Sequence, residues 1–304
     1  MDAFGITNIG SYKENQDVFF IREGHYGILD GHGTGGKMMA TEAAAILETG
    51  GSFADADSVV SNLGFNGGTT ASVLSITEAG CTVSHVGDSE VRYYDGPGAG
   101  VSLTVDHSAA SKEEFLRIQK TPMPAACIYM SRMGGPFNRP IFVSDGSGDW
   151  IVNPAGGEYR NTVRGDWSTY LAAPYNREFL AVTRALGDVT MKPYGVIAEP
   201  NVMTVGPPEP GVTRAIVMGS DGLWDTIQYE EVGAIVMRPD LVGHAEAAAK
   251  ELMNTSLALT MKHFKKGGDN VTIVVVYITA DFASDVTKST EDTQPDLPSP
   301  LTQD

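Results

Sequence analysis

The segment 25–37 reads HYGILDGHGTGGK, a short apolar run that ends at Asp30 and passes into a turn rich in glycine. Four further turns place an aspartate beside a strand-like run in the same way: Asp17 before VFFI, Asp88 after SHVG, Asp221 after AIVMGS, and Asp269 just before VTIVVVYI. Adjacent antiparallel strands bring the start of one strand and the end of the next to the same edge. We therefore predict that Asp17 meets Asp30, and that Asp221 meets Asp269, at one edge of an antiparallel sheet or sandwich.

Carboxylates gathered at one edge repel each other, and their pKa values shift strongly unless a cation neutralises them. Oxygen ligands from carboxylates, backbone carbonyls and water suit the hard ions Mg²⁺ and Mn²⁺. The aspartates therefore predict a metal-dependent hydrolase. The glycines after Asp30 let the backbone approach an ion closely, which makes the Gly31 carbonyl a candidate ligand. His32 is the candidate general acid, because it lies two residues from Asp30 and can protonate a leaving oxygen.

The glycine-rich turn also matches two nucleotide-binding patterns. Residues 31–37 fit G-x-G-x-x-G of dinucleotide-binding folds and G-x-x-x-x-G-K of phosphate-binding loops. The second pattern requires Ser or Thr after the lysine, where this chain has Met38. Both patterns need a parallel sheet with crossover helices, whereas short turns link the strands here. Nucleotide binding at this turn is therefore kept as a minor alternative.

Composition narrows the class of protein. The 304 residues suffice for a sizeable core, and 42% of them are apolar, as in ordinary globular proteins. A formal net charge of −17 argues against a nucleic-acid or anionic membrane surface, because both bind basic faces. The two cysteines, Cys81 and Cys127, are too few for a disulfide framework and are expected to be reduced. Without signal-peptide features or a membrane-spanning apolar run, we expect a monomeric cytoplasmic protein, with the nucleus as an alternative.

Helix and strand patterns alternate along the first half of the chain. The composition of 37–47 and of 244–260 predicts helices, and Ser111 followed by Glu114 is a capping box that predicts a shorter helix. Residues 69–94 consist of short β-type runs divided by glycine, which is typical of a meander.

Periodicity is lost over residues 121–177, which are rich in Gly, Pro, Asn and aromatic residues. Because a long structureless loop is improbable inside a domain, we interpret this stretch as an irregular flap with contacts of its own. Residues 281–304 contain mostly Ser, Thr, Asp and Pro, and they predict a disordered acidic tail. The predicted organisation is one domain over residues 1–280, with the flap inserted and the tail appended.

Short motifs follow one another in a fixed order over residues 5–279: Asn15-Gln16-Asp17, Asp30-Gly31-His32-Gly33, Gly68-Thr69-Thr70-Ala71, Gly87-Asp88-Ser89, Asp106-His107, Glu114 to Ile118, Thr183-Arg184-Ala185-Leu186-Gly187-Asp188, Glu199-Pro200, Ser220-Asp221-Gly222-Leu223-Trp224-Asp225 and Asp269-Asn270-Val271-Thr272. Together they resemble the type 2C metal-dependent protein phosphatases. The resemblance implies an α+β fold, an α-β-β-α sandwich of two antiparallel sheets flanked by helices. It also implies a binuclear Mn²⁺ or Mg²⁺ site and hydrolysis of phosphoserine and phosphothreonine in phosphoprotein substrates.

The resemblance assigns roles by matching positions. Asp30 would bridge the two ions, and His32 would act as the general acid while an activated water attacks phosphorus in line. Asp88 would offer, with Asp221, a weaker third metal site. The implied metal ligands are Asp17, Asp30, Gly31, Asp88, Asp221 and Asp269.

The chain departs from the family at the phosphate-binding position. Tyr12 stands where many members carry the arginine that binds the substrate phosphate. Neighbouring Lys13 is expected to supply a less directional charge instead. Arg160 or Arg164 from the flap is the alternative source of that charge.

Two other departures concern Gln16, which replaces a glutamate common in animal members, and Glu90, which replaces the arginine usual after Gly-Asp-Ser. The changes at Tyr12 and Glu90 leave a second hypothesis open, a catalytically impaired scaffold or regulatory binding protein. The complete set of metal-site aspartates favours the enzyme, because a chain that had lost catalysis would be expected to lose these ligands first.

Several other residues are predicted to be structural. His85 alternates onto one face of its strand and is expected to be a core histidine. Trp224 is expected to pack beside the metal-site turn. Arg184 and Asp188 are expected to form an ion pair with each other beneath the site.

Overall fold

The computed structural model describes residues 1–130, 139–175, 178–264 and 268–279. The strands of this part of the chain are β1 (Asp2–Asn8), β2 (Val18–Arg22), β3 (His25–Leu29), β4 (Gly31–Gly33), β5 (Gly67–Thr69), β6 (Ala71–Thr77), β7 (Gly80–Val86), β8 (Val91–Tyr94), β9 (Val101–Ser102), β10 (Ala126–Tyr129), β11 (Arg139–Pro140), β12 (Phe142–Ser144), β13 (Trp150–Val152), β14 (Thr169–Ala172), β15 (Phe179–Leu180), β16 (Leu186–Gly187), β17 (Asn201–Val205), β18 (Thr213–Gly219) and β19 (Val271–Thr279). The helices are α1 (Gly36–Leu47), α2 (Phe53–Ser61), α3 (Lys112–Ile118), α4 (Asp221–Trp224), α5 (Tyr229–Val236) and α6 (Ala245–Phe264).

Two five-stranded antiparallel sheets pack face to face. The first sheet has the order β1-β19-β18-β8-β9, and the second has the order β17-β7-β6-β3-β2. Apolar side chains from both sheets form one buried cluster, which includes Tyr26 and Leu74 of the second sheet and Ile216 and Val274 of the first. The predicted meander is present only in part: β6 pairs with β7, but after a short turn β8 crosses to the first sheet and pairs with β18.

Helices cover the two outer faces of this sandwich. Helices α1 and α2 pack on the second sheet through residues such as Met39 and Val60. Helices α5 and α6 pack on the first sheet, where Ala245, Ala248 and Leu252 of α6 are fully or almost fully buried. Their spacing of three and four residues gives α6 one apolar face. The predicted α-β-β-α sandwich is confirmed.

The helix bounds differ slightly from the predicted ones. The helix expected at 37–47 begins one residue earlier, and the helix expected at 244–260 runs from Ala245 to Phe264. Ser111 caps α3 by accepting a hydrogen bond from the Glu114 amide, which is half of the predicted capping box. The Glu114 carboxylate instead accepts hydrogen bonds from Thr183, Arg184 and Arg117. Helix α2 was not predicted, because its sequence FADADSVVS is polar and β-branched. The signal for it was the capping box formed by Ser52 and Asp55.

The segment 121–177 contains more regular structure than we expected. Its described residues include a β12–β13 hairpin and most of a four-stranded flap sheet with the order β11-β10-β14-β15. These strands have only two to four residues each, too few for a recognisable period. The flap has a contact of its own, since Trp167 packs edge-on against Tyr129, and it also packs on α3, where Phe142 stacks on Phe115 at 4.5 Å. The predicted disordered tail, residues 281–304, lies outside the described residues.

A small third sheet, β16-β5-β4, lies at the edge of the sandwich. Within it Gly68 of β5 is opposite His32 on one side and Gly187 on the other. This sheet therefore brings the candidate acid His32 close to the turn after Gly187.

Two expectations about the chain as a whole can be compared with the structure. Both cysteines are buried and free. No helix in the described ranges is long and apolar enough to cross a membrane.

Candidate active site

A cleft of about 840 Å³ opens where β3, β7 and β18 end and β19 begins. The residues that line it include Asp30, Gly31, His32, Asp88, Asp221 and Asp269. These six were the candidates from the sequence, and antiparallel pairing of the strands brings them to one end of the sandwich. The remaining metal-ligand candidate, Asp17, is buried, and its charge helps to raise the pKa of Asp30.

Asp17 is positioned by both sheets. It directly precedes β2 of the second sheet, and its Oδ2 atom accepts a hydrogen bond of 2.9 Å from the Ser220 hydroxyl, which follows β18 of the first sheet. The Ser220 oxygen in turn accepts a hydrogen bond from the Thr272 amide of β19. The Oδ1 atom of Asp17 is buried without a hydrogen-bond partner. One acceptor atom of this carboxylate is therefore free for a ligand.

Asp30 and Gly31 form a tightly packed turn. The Asp30 amide donates to the Thr70 hydroxyl, and its carbonyl accepts from the Thr70 amide, at 3.0 and 2.9 Å. A Cβ atom on residue 31 would lie 2.3 Å from the Gly36 carbonyl oxygen and 2.8 Å from that of Gln16. Only glycine fits there, and the role of its carbonyl as a ligand stays a prediction.

Asp221 and Asp269 are held at neighbouring strand ends. Asp221 is the first residue of α4, and its Oδ1 atom is buried without a hydrogen-bond partner. Asp269 lies on the open side of the cleft and accepts a hydrogen bond from the Asn270 amide at 2.7 Å. The Asn270 side chain binds the carbonyl of Ile9 and the amide of Gln16. It therefore anchors the loop that carries Tyr12 and Lys13 beside the metal-site candidates.

The aspartates destabilise each other's charged forms. Burial, followed by the charges of Asp17 and Asp221, raises the pKa of Asp30 well above its ordinary value. Burial, followed by the charges of Asp225 and Asp269, does the same to the pKa of Asp221. A bound cation would relieve both effects, since it would neutralise the repulsion and replace the lost hydration.

The donor set fits a hydrated hard ion. Two buried carboxylate oxygens without partners, Oδ1 of Asp17 and Oδ1 of Asp221, belong to this group of aspartates. Over the described ranges no three Asp, Glu, His or Cys side chains close around one point as a preformed cage. Mg²⁺ usually retains several waters and takes only one or two protein carboxylates, so the open cleft agrees with its chemistry.

A second cleft of about 770 Å³ adjoins the first and shares Asp88, Asp221 and Tyr170 with it. Asp225 lines this second cleft. Burial, followed by the charge of Asp88, raises the pKa of Asp225 to about 8, although Arg164 partly opposes the shift. Sequence reasoning did not select Asp225, yet its position one helical turn after Asp221 in Asp-Gly-Leu-Trp-Asp was a usable signal.

The raised pKa of Asp225 predicts a pH-dependent stability of the metal-free protein. Between pH 4 and 8 the folded state holds this proton while the unfolded state releases it, so stability falls as pH rises. In urea unfolding with a chelator, we expect the free energy of unfolding to decrease from pH 6.5 to 8. The slope for this proton is at most about 1.4 kcal/mol per pH unit. Asp225→Asn should reduce the slope, although Asp30 and Asp221, whose pKa values are also raised, still contribute to it. An unchanged slope would contradict the assignment.

His32 is paired with Asp188. Its Nε2 atom lies 2.7 Å from Oδ2 of Asp188, and the side chains are 28% and 7% exposed. Burial lowers the pKa of His32, but the charge and hydrogen bond of Asp188 outweigh it, so the net pKa is raised. The predicted ion pair between Arg184 and Asp188 is wrong. Arg184 instead binds Glu114 at 2.6 Å, because Asp188 lies in a turn that directs its carboxylate toward His32.

The residues considered for phosphate binding are divided between the two clefts. Tyr12 and Lys13 are exposed and line the first cleft. The charge of Asp269, followed by burial, raises the pKa of Tyr12, so its hydroxyl stays a hydrogen-bond donor. Arg160 and Arg164 line the second cleft. Both donate hydrogen bonds to backbone carbonyls, to those of Gly165 and Trp224 respectively.

The other predicted structural residues are buried. His85 is 1% exposed and stacks on His107 at 4.6 Å. Trp224 is 2% exposed, and its indole nitrogen donates to the carbonyls of Glu90 and Gly219. The Glu90 carboxylate accepts hydrogen bonds from Arg92 at 2.5 Å and from Tyr229 at 3.0 Å. Glu90 therefore has local partners in the wall of the second cleft.

The glycine-rich turn does not have the setting of a nucleotide-binding loop. All pairings between the named strands of the described residues are antiparallel. The Lys37 ammonium group donates to the Asp17 carbonyl at 2.8 Å. Both observations count against the alternative of phosphate binding by residues 31–37.

Solved structures share this architecture. The chain superposes on serine-threonine phosphatase 2C from Toxoplasma gondii with a TM-score of 0.61 and 17% identity, covering 91% of this chain and 94% of that one. It also superposes on a PPM Ser-Thr phosphatase from Mycobacterium smegmatis, solved in complex with cacodylate, with a TM-score of 0.54 and 20% identity. The two chains are covered over 90% and 97% of their lengths. These likenesses establish the fold.

Sequence comparison extends the likeness to the family. Protein phosphatase 2C 50 of Oryza sativa subsp. japonica is 26% identical over 69% of this chain and 46% of its own length. Protein phosphatase 2C 16 of Arabidopsis thaliana is 25% identical over 70% of this chain and 35% of its own length. The chain thus spans less than half the length of these relatives. The family model described as Protein phosphatase 2C matches residues 41–263, most of the described sandwich. The chain belongs to the protein phosphatase 2C family.

Proposed function

We propose that the protein hydrolyses phosphoserine and phosphothreonine monoesters in phosphoproteins, with two Mn²⁺ or Mg²⁺ ions bound in the first cleft and a weaker third ion beside Asp88. The observation that carries the proposal is the group of aspartates at the sandwich end, with partnerless buried oxygens on Asp17 and Asp221, next to the paired histidine His32. Asp17, Asp30, the Gly31 carbonyl, Asp221 and Asp269 are the residues that would hold the two main ions. When bound, such ions lower the pKa of water and neutralise phosphoryl charge.

The chain's own groups would perform the remaining steps. Tyr12 and Lys13 at the rim of the cleft would contact the entering phosphate through a neutral hydroxyl and a mobile charge. His32 would give a proton to the seryl or threonyl oxygen as its bond to phosphorus breaks. Because Asp188 favours the protonated imidazole, His32 is suited to hold that proton near neutral pH.

The proposal is tested by titrating the chelator-treated protein with Mn²⁺ and with Mg²⁺. Two substrates are needed, a phosphothreonine peptide and nitrophenyl phosphate. Saturable metal-dependent release of phosphate from both is the expected result. Metal binding seen by calorimetry without any turnover would instead support the second hypothesis, a phosphatase-like scaffold. A thermal shift with nucleotide in the absence of metal would support the nucleotide-binding alternative.

Three further expectations stay predictions. They are a monomeric state, a cytoplasmic or nuclear location, and a domain boundary near residue 280. Phosphoproteomics after depletion of the protein would identify its substrates.

Tyr12, which stands where many family members carry an arginine, gives a separate prediction about phosphate binding. Tyr12→Arg should lower KM by roughly tenfold, because a charged hydrogen bond contributes about 1.5–3 kcal/mol. The effect on kcat should be smaller, since the contact exists in the ground state as well as in the transition state. Lys13→Ala should raise KM if Lys13 now supplies the charge. Steady-state kinetics on the phosphothreonine peptide measure both effects.

The control for this prediction is Tyr175→Arg, which adds the same charge at a tyrosine that is 77% exposed and lines neither cleft. Its KM should equal that of the wild type. If Lys13→Ala leaves KM unchanged and Tyr12→Arg destroys activity, residue 12 does not occupy the phosphate-binding position.

A further inference from the structure

Asp188 has an unusual backbone conformation. Among the non-glycine residues of the described chain, it alone has a positive φ, of 45°. Side chains other than glycine enter this left-handed region at an energetic cost, and they are found there chiefly where the surroundings impose it. Such outliers concentrate at functional sites, and Asp188 adjoins the cleft of the candidate metal ligands.

The turn around Asp188 is held from several sides. The Asp188 amide donates to the Gly67 carbonyl, and its own carbonyl accepts from the Met191 amide, both at 2.8 Å. The preceding amide, that of Gly187, donates to Oδ1 of Asp57 on α2 at 2.9 Å. Asp57 also pairs with Lys192, which follows the turn. These bonds explain how the strained conformation persists.

The conformation directs the Asp188 carboxylate onto His32. Its Oδ2 atom lies 2.7 Å from the imidazole Nε2 atom. The pair meets over Gly68, where an added Cβ atom would be 2.3 Å from the same Oδ2 atom. Gly68 in the Gly-Gly-Thr-Thr motif therefore leaves the space that the pair occupies.

We propose that Asp188 is the positioning residue of His32, and that the strained turn is retained because it aims this carboxylate at the imidazole. The inference rests on the proposed function and deepens it. A carboxylate partner fixes the orientation of a histidine ring and keeps a proton on the bonded nitrogen. The imidazolium carries a proton on each nitrogen. Nε2–H can stay bonded to Asp188 while the Nδ1 proton moves to the leaving oxygen, which leaves a neutral ring.

The test is Asp188→Asn, assayed with Mn²⁺ on two substrates. Asparagine has the same shape and also tolerates positive φ, so the turn should survive. Turnover of the phosphothreonine peptide should fall roughly 10–100-fold, the usual cost of losing an orienting partner. Nitrophenyl phosphate, whose leaving oxygen needs little protonation, should lose only about threefold or less. Equal losses on both substrates, or no loss on either, would overturn the proposal.

A second readout does not depend on turnover. In the metal-free wild type, ¹H–¹⁵N spectra of the His32 ring should show a protonated, hydrogen-bonded Nε2, and Asp188→Asn should lose that signature. An identical ring spectrum in the variant would also overturn the proposal.

Asp188→Gly separates positioning from a structural role. Glycine adopts positive φ without strain, and this gain offsets the entropy that glycine adds to the unfolded chain, so the Tm should change little. Peptide turnover should fall as it does for asparagine. A large drop in Tm with equal losses on both substrates would make Asp188 a structural residue and refute the inference. A wild-type protein that hydrolyses neither substrate refutes the proposed function instead.

Discussion

Asp221→Ala and Asp269→Ala are each expected to abolish Mn²⁺-dependent phosphate release, with losses of roughly 10³-fold or more, because bound ions supply several kcal/mol of transition-state stabilisation. The metal-free chain should nevertheless fold. Asp221 carries a buried carboxylate oxygen without a partner, and burial and neighbouring aspartates raise its pKa well above the ordinary value. Removing that carboxylate therefore relieves repulsion in the absence of metal. For Asp221→Ala we expect a metal-free Tm at pH 8 at or above that of the wild type.

Three measurements check this prediction: turnover against Mn²⁺ concentration, metal binding by calorimetry, and Tm with and without metal. Asp240→Ala is the matched control. It removes an exposed carboxylate that pairs with Arg238 away from both clefts, so turnover and metal binding should stay at wild-type levels. Near-normal activity of Asp221→Ala or Asp269→Ala at modest Mn²⁺ would remove these residues from the metal site.

The proximity of the aspartates was predictable because it follows from strand ends alone. Once the apolar runs before Asp30 and Asp221 are interpreted as strands, antiparallel pairing brings these residues to the same end of the sandwich. The sequence around each aspartate does not identify the residues that form hydrogen bonds with it. Ser220, which binds Asp17, lies 203 positions further along the chain. No local sequence pattern shows that the Ser220 hydroxyl, rather than that of another serine near a strand end, binds Asp17.

The error at Arg184 and Asp188 has a similar cause. Their spacing of four residues would suit an ion pair on a helix. In the structure two of the three intervening residues, Leu186 and Gly187, form β16, and Asp188 has a positive φ. Each side chain then finds a distant partner, Glu114 for Arg184 and His32 for Asp188. Sequence spacing cannot show a backbone conformation that only tertiary bonds impose.

The departure at Glu90 has an explanation that the sequence could not provide. Its two carboxylate oxygens are bound by Arg92 and Tyr229, while the Arg92 guanidinium lies 3.8 Å from the centre of the Tyr229 ring. This network belongs to the wall of the second cleft. It therefore gives Glu90 a structural role, which weakens one of the two reasons, Tyr12 and Glu90, for suspecting a catalytically impaired chain.

His32→Ala is expected to lower turnover of phosphoserine peptides by roughly 10²–10⁴-fold, the usual contribution of a general acid. The serine alkoxide is a poor leaving group and depends on a proton, whereas nitrophenolate leaves readily without one. The loss on nitrophenyl phosphate should therefore be much smaller, and the ratio of the two losses is the quantity to measure. Mn²⁺ binding should be retained, because His32 is not among the proposed ligands.

A double variant tests whether Asp188 acts through His32. If Asp188 acts through His32, the double variant His32→Ala with Asp188→Asn should lose no more peptide turnover than His32→Ala alone, because the second change has no imidazole left to position. Additive losses would mean that Asp188 acts independently of His32. Equal losses of His32→Ala on the peptide and on the nitrophenyl ester would remove His32 from the acid role. The proton would then have to come from another group that lines the cleft, such as the hydroxyl of Tyr12.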